Sequence, residues 1–216
     1  MSAEHIRFFF DPICPWCYQT SRWIRQLEAL GEVTASWGLF SLELANDGQS
    51  DRLPRSAASL RTALLVDERH GAAATGRFYA TLGEAVHERG ARVHRPDVIT
   101  SALAEADLDP GLLDEAVADP DTWDRVVAQH KALVEGTGSF GVPTIVLDGG
   151  QGPAIFGPVI SELPSDADAV ELLRHVVWLT RYENFSELKR DRADPDLESI
   201  RRFRAHEART QADDDG

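Results

Sequence analysis

A short apolar strand pattern that runs directly into a pair of cysteines constrains this chain more than any other feature. The run Phe8-Phe9-Phe10 is followed by three residues and then by Cys14-Pro15-Trp16-Cys17. An amphipathic helical pattern begins at the cysteine pair. These are the only two cysteines in 216 residues. Two thiols separated by two residues at a strand-to-helix junction are the arrangement that dithiol–disulfide exchange requires.

The position of each cysteine in this junction predicts its role. With Cys14 as the N-cap, Pro15 occupies the first helical position, where its missing N–H costs nothing. The Cys14 sulfur then faces unpaired backbone N–H groups and the positive end of the helix dipole, which favour the thiolate. Cys17 lies almost one turn further on, close enough to attack a mixed disulfide formed at Cys14. We therefore expect Cys14 to be the exposed nucleophile and Cys17 the buried resolving thiol.

Other uses of the cysteine pair fit the sequence less well. Structural zinc needs four ligands, and the seven histidines form no closely spaced pair, so no metal site is expected. A c-type haem site requires histidine directly after the second cysteine, where Tyr18 stands. A structural disulfide across two residues closes so short a loop that it would stabilise the fold little. Redox chemistry is the interpretation that remains.

The charge and hydropathy of the chain argue against several classes of partner. A net charge of −14 and a pI near 4.8 disfavour nucleic acids and anionic membrane surfaces. No apolar run approaches the length of a membrane span, and the N-terminal residues show no secretory signal pattern. We therefore expect a cytoplasmic protein, in which a CxxC pair is more often catalytic than structural. This favours a reductase-type role over oxidative folding of secreted proteins.

Periodicity predicts a β-α-β unit at the start of the chain. Residues 5–10 and 33–39 have the pattern of strands, and apolar residues recur at helical spacing over 15–30. Gly31 is a good residue to end that helix. A polar loop that begins at Asn46 follows the second strand.

The middle of the chain has helical patterns without any strand signal. This block covers about residues 55–135, and its helix starts are expected at three prolines: Pro96, Pro110 and Pro120. An aspartate precedes each of the last two prolines as the expected N-cap.

The chain returns to β structure after this block. Residues 140–147 and 154–157 form a predicted hairpin around Asp148-Gly149-Gly150. A helix is expected over 166–181, and a charged helix over 196–209 is expected to be solvated.

The order of these units resembles the thioredoxin fold interrupted by a helical domain, as in the DsbA-like oxidoreductases. Within that group the chain is most similar to the actinobacterial mycothiol-dependent nitroreductase family. The similar segments are FFFDPICPWCYQTSRW (8–23), SLELAN (41–46), GVPTIVLD (141–148), IFGPVIS (155–161) and FSELKRDR (185–192). The resemblance implies an α/β fold with a discontinuous thioredoxin-like domain and an inserted all-helical domain. The thioredoxin-like domain would cover 1–48 and 137–190, and the helical domain would cover 49–136. Residues 191–216 would form a C-terminal helix and an acidic tail.

The resemblance also implies roles for residues outside the cysteine pair. Pro143 matches the cis-proline that faces the CxxC pair in thioredoxin-like proteins, which would turn the Val142 backbone toward the substrate. Pro15 and Trp16 would contribute to the substrate surface, although a lid over the resolving cysteine is an equal alternative for Trp16. Asn46 matches an asparagine that faces the active site, with a plain turn-forming role as the alternative.

Three further expectations concern the surroundings of the cysteines. Asp11 is expected to cap the catalytic loop, with a role as proton acceptor for Cys17 as the alternative. Ala57 stands where the family tends to carry tyrosine, a departure that weakens the transfer of nitroreductase activity and leaves the dithiol chemistry intact. The helical block is expected to form a wall over the Cys14 side, facing a rim of Trp16, Val142 and Pro143.

These observations leave three functions open. The first is a thiol–disulfide oxidoreductase without a tightly bound cofactor, which takes electrons from mycothiol or from a thioredoxin- or mycoredoxin-like donor. Its substrate would be a disulfide, a nitro compound or another small electrophile. The others are a DsbA-like dithiol–disulfide isomerase and a non-catalytic redox-sensing module, and a homodimer is left open. Kappa-type glutathione transferases and chromene-carboxylate isomerases are disfavoured because they typically carry serine in place of Cys14.

Overall fold

Two parallel strands begin the fold, and the apolar runs of the sequence account for their burial. The computed structural model describes residues 3–47 and 52–205. Strand β1 spans Glu4–Phe10 and strand β2 spans Val33–Leu39, and Phe8 pairs with Trp37 in a parallel register. Phe8 is fully buried because β1 is a central strand with a neighbour on each side.

Helix α1 connects these strands and spans Pro15–Ala29. The chain turns out of the helix at Gly31, whose φ of 74° lies in the left-handed region that glycine adopts without strain. The predicted β-α-β unit is therefore confirmed, including the residue that ends its helix.

The middle of the described chain is helical, as the sequence predicts. Its α-helices are α2 (Leu42–Asp47), α3 (Ala57–Gly83), α4 (Pro96–Glu105), α5 (Leu112–Ala118) and α6 (Asp121–Thr137). Helix α3 bends at Gly71, where φ is 76°, and a π-helical turn continues it over Glu84–Glu88. Asn46 belongs to α2 and not to the predicted polar loop, most of which (48–51) lies outside the described residues.

The predicted helix starts are right for α4 and early by one or two residues for α5 and α6. In α5 and α6, which begin after their predicted starts, the predicted N-cap aspartate still accepts a backbone N–H. Asp109 accepts from the N–H of Gly111 at 2.8 Å, and Asp119 accepts from the N–H of Asp121 at 2.9 Å. Each aspartate closes a turn just before its helix, which is why the sequence signal is displaced.

Two antiparallel strands complete the sheet. Strands β3 (Thr144–Leu147) and β4 (Ala154–Phe156) give the order β2-β1-β3-β4, with β3 beside β1. The predicted turn forms a short 3₁₀ turn over Asp148–Gly150, and helix α7 follows over Asp166–Arg181. The hairpin and the last predicted helix of the β-β-α unit are thus confirmed.

Helix α1 is fixed against α7 by a buried tryptophan. The Trp23 indole N–H donates to the carbonyl oxygen of Ala169 at 3.2 Å, and the side chain is fully buried. The Thr20 hydroxyl donates to the carbonyl oxygen of Pro158 at 2.8 Å. These contacts hold the helix that carries the cysteine pair in a fixed position on the sheet.

Helix α6 attaches the helical block to the end of β2. The Gln129 side-chain oxygen accepts the N–H of Leu39 at 3.2 Å, and His130 Nδ1 accepts the N–H of Ser41 at 3.3 Å. These N–H groups belong to the last residue of β2 and to the second residue after it. The block is therefore anchored at the end of the sheet where β1 and β2 end and α1 begins.

The C-terminal segment differs from its prediction. Residues 198–205 form a helix, called here the C-terminal helix, while 206–216 lie outside the described residues. Leu197 is only 3% exposed, and the Arg202 guanidinium donates to the carbonyl oxygen of Gly90 at 2.6 Å. The expectation of a solvated segment is therefore wrong at its start, because Leu197 is buried and a charged hydrogen bond attaches the helix to Gly90 of the helical block. Within 3–47 and 52–205, no helix is long and apolar enough to cross a membrane.

Candidate active site

The cysteine pair lies at the N-terminus of α1, in the predicted capping geometry. Cys14 is the N-cap with extended backbone angles, and Pro15 is the first helical residue. The Cys14 sulfur accepts the backbone N–H of Cys17 at 3.3 Å. The sulfur thus faces the positive end of the helix dipole, where a thiolate is stabilised. Both cysteines are free thiols in this structure.

The two sulfurs are less different in exposure than the sequence suggests. Cys17 is fully buried, as expected, but Cys14 is itself only 5% exposed. The expectation of an exposed Cys14 is therefore wrong in degree, although Cys14 remains the more accessible of the two. Its low exposure reflects a recessed position at the bottom of a groove.

Asp11 caps the loop that precedes the cysteines, as predicted. One carboxylate oxygen accepts the N–H of Ile13 at 3.1 Å, and the other accepts the N–H of Leu42 at 2.8 Å. The Asp11 backbone carbonyl accepts the N–H of Cys14 at 2.9 Å. The side chain is fully buried, and burial raises its pKa to about 6 in spite of the two N–H groups that favour the anion. Asp11 therefore ties the start of α2 to the catalytic loop and is ionised near neutral pH.

Cys17 lies on the inner side of this loop. Burial, the neighbouring Cys14 thiol and, to a lesser degree, the Asp11 carboxylate raise the pKa of Cys17 well above its usual range. The buried thiol is therefore protonated at neutral pH until a nearby base accepts its proton.

Tyr79 is a residue of this region that sequence reasoning assigned only to the helical pattern of α3. Its ring stacks on Phe10 at 3.8 Å between centroids and meets Trp37 edge-on at 5.7 Å. Its hydroxyl is fully buried and has no hydrogen-bond partner among the described residues. Burial and the charges of Cys17, Cys14 and Asp11 raise the pKa of Tyr79. The helical block thus supplies a buried phenol that packs against Phe10, the last residue of β1.

Val142 lies next to Cys14 in the structure, and Pro143 follows it in the chain. The Cys14 thiol donates to the carbonyl oxygen of Val142 at 3.8 Å, a long sulfur contact. The Val142–Pro143 peptide bond is cis. Both side chains are buried. Among the described residues, neither of them lines the groove that opens above Cys14. Their predicted role in substrate binding stays a prediction.

His87 joins three parts of the chain, and its pattern in the sequence shows only one of seven scattered histidines. It lies in the π-helical turn after α3 and is 1% exposed. Its Nε2 is 2.9 Å from the carbonyl oxygen of Pro12, and its Nδ1 is 3.0 Å from the Ser199 hydroxyl. Burial lowers its pKa to about 4, so the ring is neutral near neutral pH. His87 thereby links the catalytic loop, the helical block and the C-terminal helix.

A groove of about 900 Å³ opens above Cys14, and we call it the Cys14 groove. The CPWC segment contributes Ile13, Cys14, Pro15 and Trp16 to its lining. The remaining lining residues are Leu42, Glu43, Asn46 and Arg55 on one segment, and Asp194, Ser199, Ile200, Phe203 and Arg204 on the other. The predicted site residues Pro15, Trp16 and Asn46 are therefore brought together with Cys14.

The wall of this groove differs from the predicted one. The helical block was expected to cover the Cys14 side, but of residues 49–136 only Arg55 belongs to the described lining. Five lining residues come instead from the C-terminal segment. Ala57, the departure from the family pattern, is the first residue of α3 and is buried at 3% exposure, so it too lies outside the lining.

No arrangement of metal ligands accompanies this site. Within 3–47 and 52–205, no group of three or more His, Cys, Asp or Glu side chains is placed to hold a metal ion.

Solved structures share this architecture. The cytosolic disulfide reductase DsbM from Pseudomonas aeruginosa, with GSH, matches 81% of this chain and 99% of its own at a TM-score of 0.59 and 16% identity. The probable DsbA oxidoreductase SCO1869 from Streptomyces coelicolor matches 88% of this chain and 94% of its own at a TM-score of 0.56 and 18% identity. The likeness confirms the predicted DsbA-like thioredoxin fold. The fold and the CxxC site together define an enzyme of the thiol–disulfide oxidoreductase class.

Sequence comparison places the chain more narrowly. The family model of the mycothiol-dependent nitroreductase Rv2466c matches residues 13–190, and the chain belongs to this Rv2466c-like family. The uncharacterized protein Rv2286c from Mycobacterium tuberculosis is 34% identical over 201 residues, which cover 90% of this chain and 85% of the relative. The family resemblance seen in the sequence is therefore confirmed.

Proposed function

We propose that this protein is a reductase-type thiol–disulfide oxidoreductase in which Cys14 attacks the substrate and Cys17 resolves the intermediate. The observation that carries the proposal is the Cys14 sulfur at the N-terminus of α1, which accepts the N–H of Cys17 at the bottom of a groove. Of the two sulfurs, it is the only one that a substrate in the groove reaches.

The proposed reaction has two exchange steps. The Cys14 thiolate attacks one sulfur of a substrate disulfide, forms a mixed disulfide and releases the other half as a thiolate. The Cys17 thiolate then attacks the Cys14 sulfur, forms the Cys14–Cys17 disulfide and releases the second half as a thiolate. The substrate gains two electrons, and the dithiol of the protein loses two.

Asp11 is the proposed proton acceptor for the second step. Cys17 is fully buried and loses its proton only to a group inside the protein. Asp11 is buried beside it, and its raised pKa of about 6 leaves the carboxylate ionised near neutral pH. In the proposed step the proton passes from the Cys17 thiol to the Asp11 carboxylate. The loop-capping role and the proton-accepting role are compatible, since the carboxylate has unused lone pairs after two N–H bonds.

Mycothiol is the proposed electron donor, and membership of the Rv2466c-like family supports this choice. Two mycothiol molecules would reduce the Cys14–Cys17 disulfide by the same two steps in reverse order. A thioredoxin- or mycoredoxin-like protein is the alternative donor. A cytoplasmic location and a division into a thioredoxin-like domain (1–48 and 137–190) and a helical domain (49–136) belong to the same proposal.

The substrate class within this proposal is a disulfide or a small electrophile. Reduction of nitro compounds follows from the family description, whereas Ala57 in place of the expected tyrosine weakens that transfer. A DsbA-like isomerase and a redox-sensing module remain the alternatives. The sensor needs no turnover, so a turnover measurement separates it from the two enzymes. The isomerase needs access for a protein substrate, so a comparison of protein and small disulfides separates it from the reductase.

The test is a comparison of electron donors with the purified protein. Reduction of a small disulfide is followed with mycothiol as the only donor and, separately, with a thioredoxin system as the only donor. We expect turnover with mycothiol, and loss of turnover in Cys14→Ser. Turnover with neither donor would contradict the enzymatic proposal and favour the sensor, and turnover with thioredoxin alone would contradict the choice of donor.

A further inference from the structure

The residues that follow the family match build part of the active-site groove. The family model ends at residue 190, and the described segment 191–205 lies beyond it. Its residues in the lining of the Cys14 groove are Asp194, Ser199, Ile200, Phe203 and Arg204. A part of the chain outside the family pattern therefore shapes the access to the nucleophile.

Contacts at four points seat this segment on the rest of the molecule. Ser199 bonds to His87 at 3.0 Å, and Arg202 donates to the Gly90 carbonyl at 2.6 Å. The Arg192 guanidinium lies over the Trp16 ring at 5.6 Å from its centroid. Leu197 is buried at 3% exposure. These contacts reach both the helical block and the CPWC loop, so the segment is a fixed wall of the groove.

The charges of the groove are balanced. Its lining holds two carboxylates and two guanidinium groups, which form the ion pairs Glu43–Arg55 at 2.9 Å and Asp194–Arg204. The apolar part of the lining comes from Ile13, Trp16, Leu42, Ile200 and Phe203. A ligand with many uncharged polar groups can bond to both signs of charge, whereas a strongly anionic ligand has to compete with the two carboxylates.

We propose that segment 191–205 makes the site selective for small-molecule disulfides of an uncharged polar thiol and excludes disulfides held in a protein. This inference rests on the dithiol function proposed above. The volume of about 900 Å³ is that of a small-molecule site. Cys14 is 5% exposed at the bottom of the groove, so an incoming disulfide must enter to align with the sulfur. A disulfide anchored in a protein cannot enter while the wall is in place.

The experiment measures one turnover of the pre-reduced full-length protein with three oxidants. The oxidants are hydroxyethyl disulfide, which is small and uncharged, glutathione disulfide, which is small and anionic, and insulin. Oxidation is quenched in acid and measured as the loss of alkylatable thiols by mass spectrometry. Each rate is divided by the rate at which dithiothreitol reduces the same disulfide, which corrects for the reactivity of the disulfide itself.

We expect hydroxyethyl disulfide to react at least about tenfold faster than insulin on this scale, and faster than glutathione disulfide. The double variant Ile200→Ala/Phe203→Ala, which shortens two groove-lining side chains, should raise the insulin rate about tenfold with a smaller effect on the small disulfide. The matched control is Arg201→Ala on the same helix, because Arg201 pairs with Glu198 and is outside the described lining of the groove. Circular dichroism checks that the variants are folded.

A second measurement on the unmodified protein needs no variant. Cys14 should react with iodoacetamide much faster than with a maleimide attached to polyethylene glycol, relative to a free thiol. Equal corrected rates for insulin and hydroxyethyl disulfide, or an unchanged ratio in the double variant, would overturn the selectivity. A preference for glutathione disulfide would overturn the choice of an uncharged thiol. If no disulfide oxidises the protein, the proposed dithiol function itself fails, and this result is distinct from equal rates.

Discussion

The ring of His87 and the carbonyl oxygen of Pro12 are 2.9 Å apart across 75 residues of chain. Because a carbonyl only accepts, Nε2 of His87 carries the proton, and Nδ1 is left to accept the hydroxyl of Ser199. The neutral ring therefore satisfies one group of the catalytic loop and one of the C-terminal helix. A protonated ring could no longer accept from Ser199, in agreement with the lowered pKa of about 4.

Asp11 and His87 act on the pH dependence of stability in opposite directions. The folded state raises the pKa of Asp11 from 3.8 to about 6, so Asp11 retains its proton more tightly in the folded than in the unfolded chain. It lowers the pKa of His87 from 6.5 to about 4, so His87 binds its proton more weakly in the folded chain. Between about pH 4 and pH 6 the two effects oppose each other, and single variants should reveal each of them.

The wild type loses stability as the pH rises because Asp11 ionises, and Asp11→Asn should not show this loss. In the wild type, the stabilising effect of neutral Asp11 is present below pH 3.8 and is lost as the pH rises to about 6. The free energy of unfolding of the variant relative to the wild type should therefore increase by about 2 kcal/mol from pH 4 to pH 6. Urea titrations at several pH values measure it. A difference that is independent of pH would show that Asp11 is not a buried titrating group.

His87→Gln should show the opposite trend. The wild type gains stability as the pH rises from about 4 to 6.5, because the unfolded chain loses the proton that the folded chain does not bind. Relative to the wild type, the variant should lose about 3 kcal/mol of unfolding free energy over this range. His70→Gln, at an exposed position of α3, is the control. A trend of the same sign as that of Asp11→Asn would contradict the neutral buried ring.

The local parts of the fold and the site could be predicted from the sequence because their causes are local. The capped cysteine, the proline in the first turn, Gly31 and the alternating strands all depend on neighbours within a few residues. Asp11 was predicted as a loop cap for the same reason, since one of its partners is Ile13.

The parts that were missed depend on contacts between distant segments. Ser199 meets His87 across 112 residues, and Arg202 meets Gly90 across the same separation. Nothing in the charged pattern of the C-terminal segment indicates that one face meets the catalytic loop. The surroundings of the Tyr79 hydroxyl were missed for the same reason. Helical spacing places the Tyr79 ring in the core but does not show which groups surround its oxygen.

Tyr79→Phe should leave the stability of the reduced protein unchanged or raise it by about 1 kcal/mol, because the buried hydroxyl has no hydrogen-bond partner among the described residues to lose. Tyr18→Phe is a matched control of the same chemistry. The Tyr18 hydroxyl donates to Glu88 at 2.5 Å, and its removal should cost about 1–2 kcal/mol. Urea denaturation of both variants under reducing conditions measures the difference. An equal cost for the two variants would mean that Tyr79 has a partner in solution, such as a bound water or the Cys17 thiolate.

Cys17→Ser should trap covalent mixed disulfides, whereas Cys14→Ser should trap none. In Cys17→Ser, the Cys14 sulfur still attacks from the N-terminus of α1, but no second thiol is present to release the adduct. In Cys14→Ser the remaining thiol is fully buried, and no substrate reaches it. Mass spectrometry of both variants, purified without reductant after exposure to a small disulfide, gives the adduct mass and its amount. The adduct of Cys17→Ser should disappear on treatment with dithiothreitol, and the double variant Cys14→Ser/Cys17→Ser gives the background. Equal amounts of adduct on both single variants would show that the two sulfurs are equally accessible, and the assignment of nucleophile and resolving thiol would then be wrong.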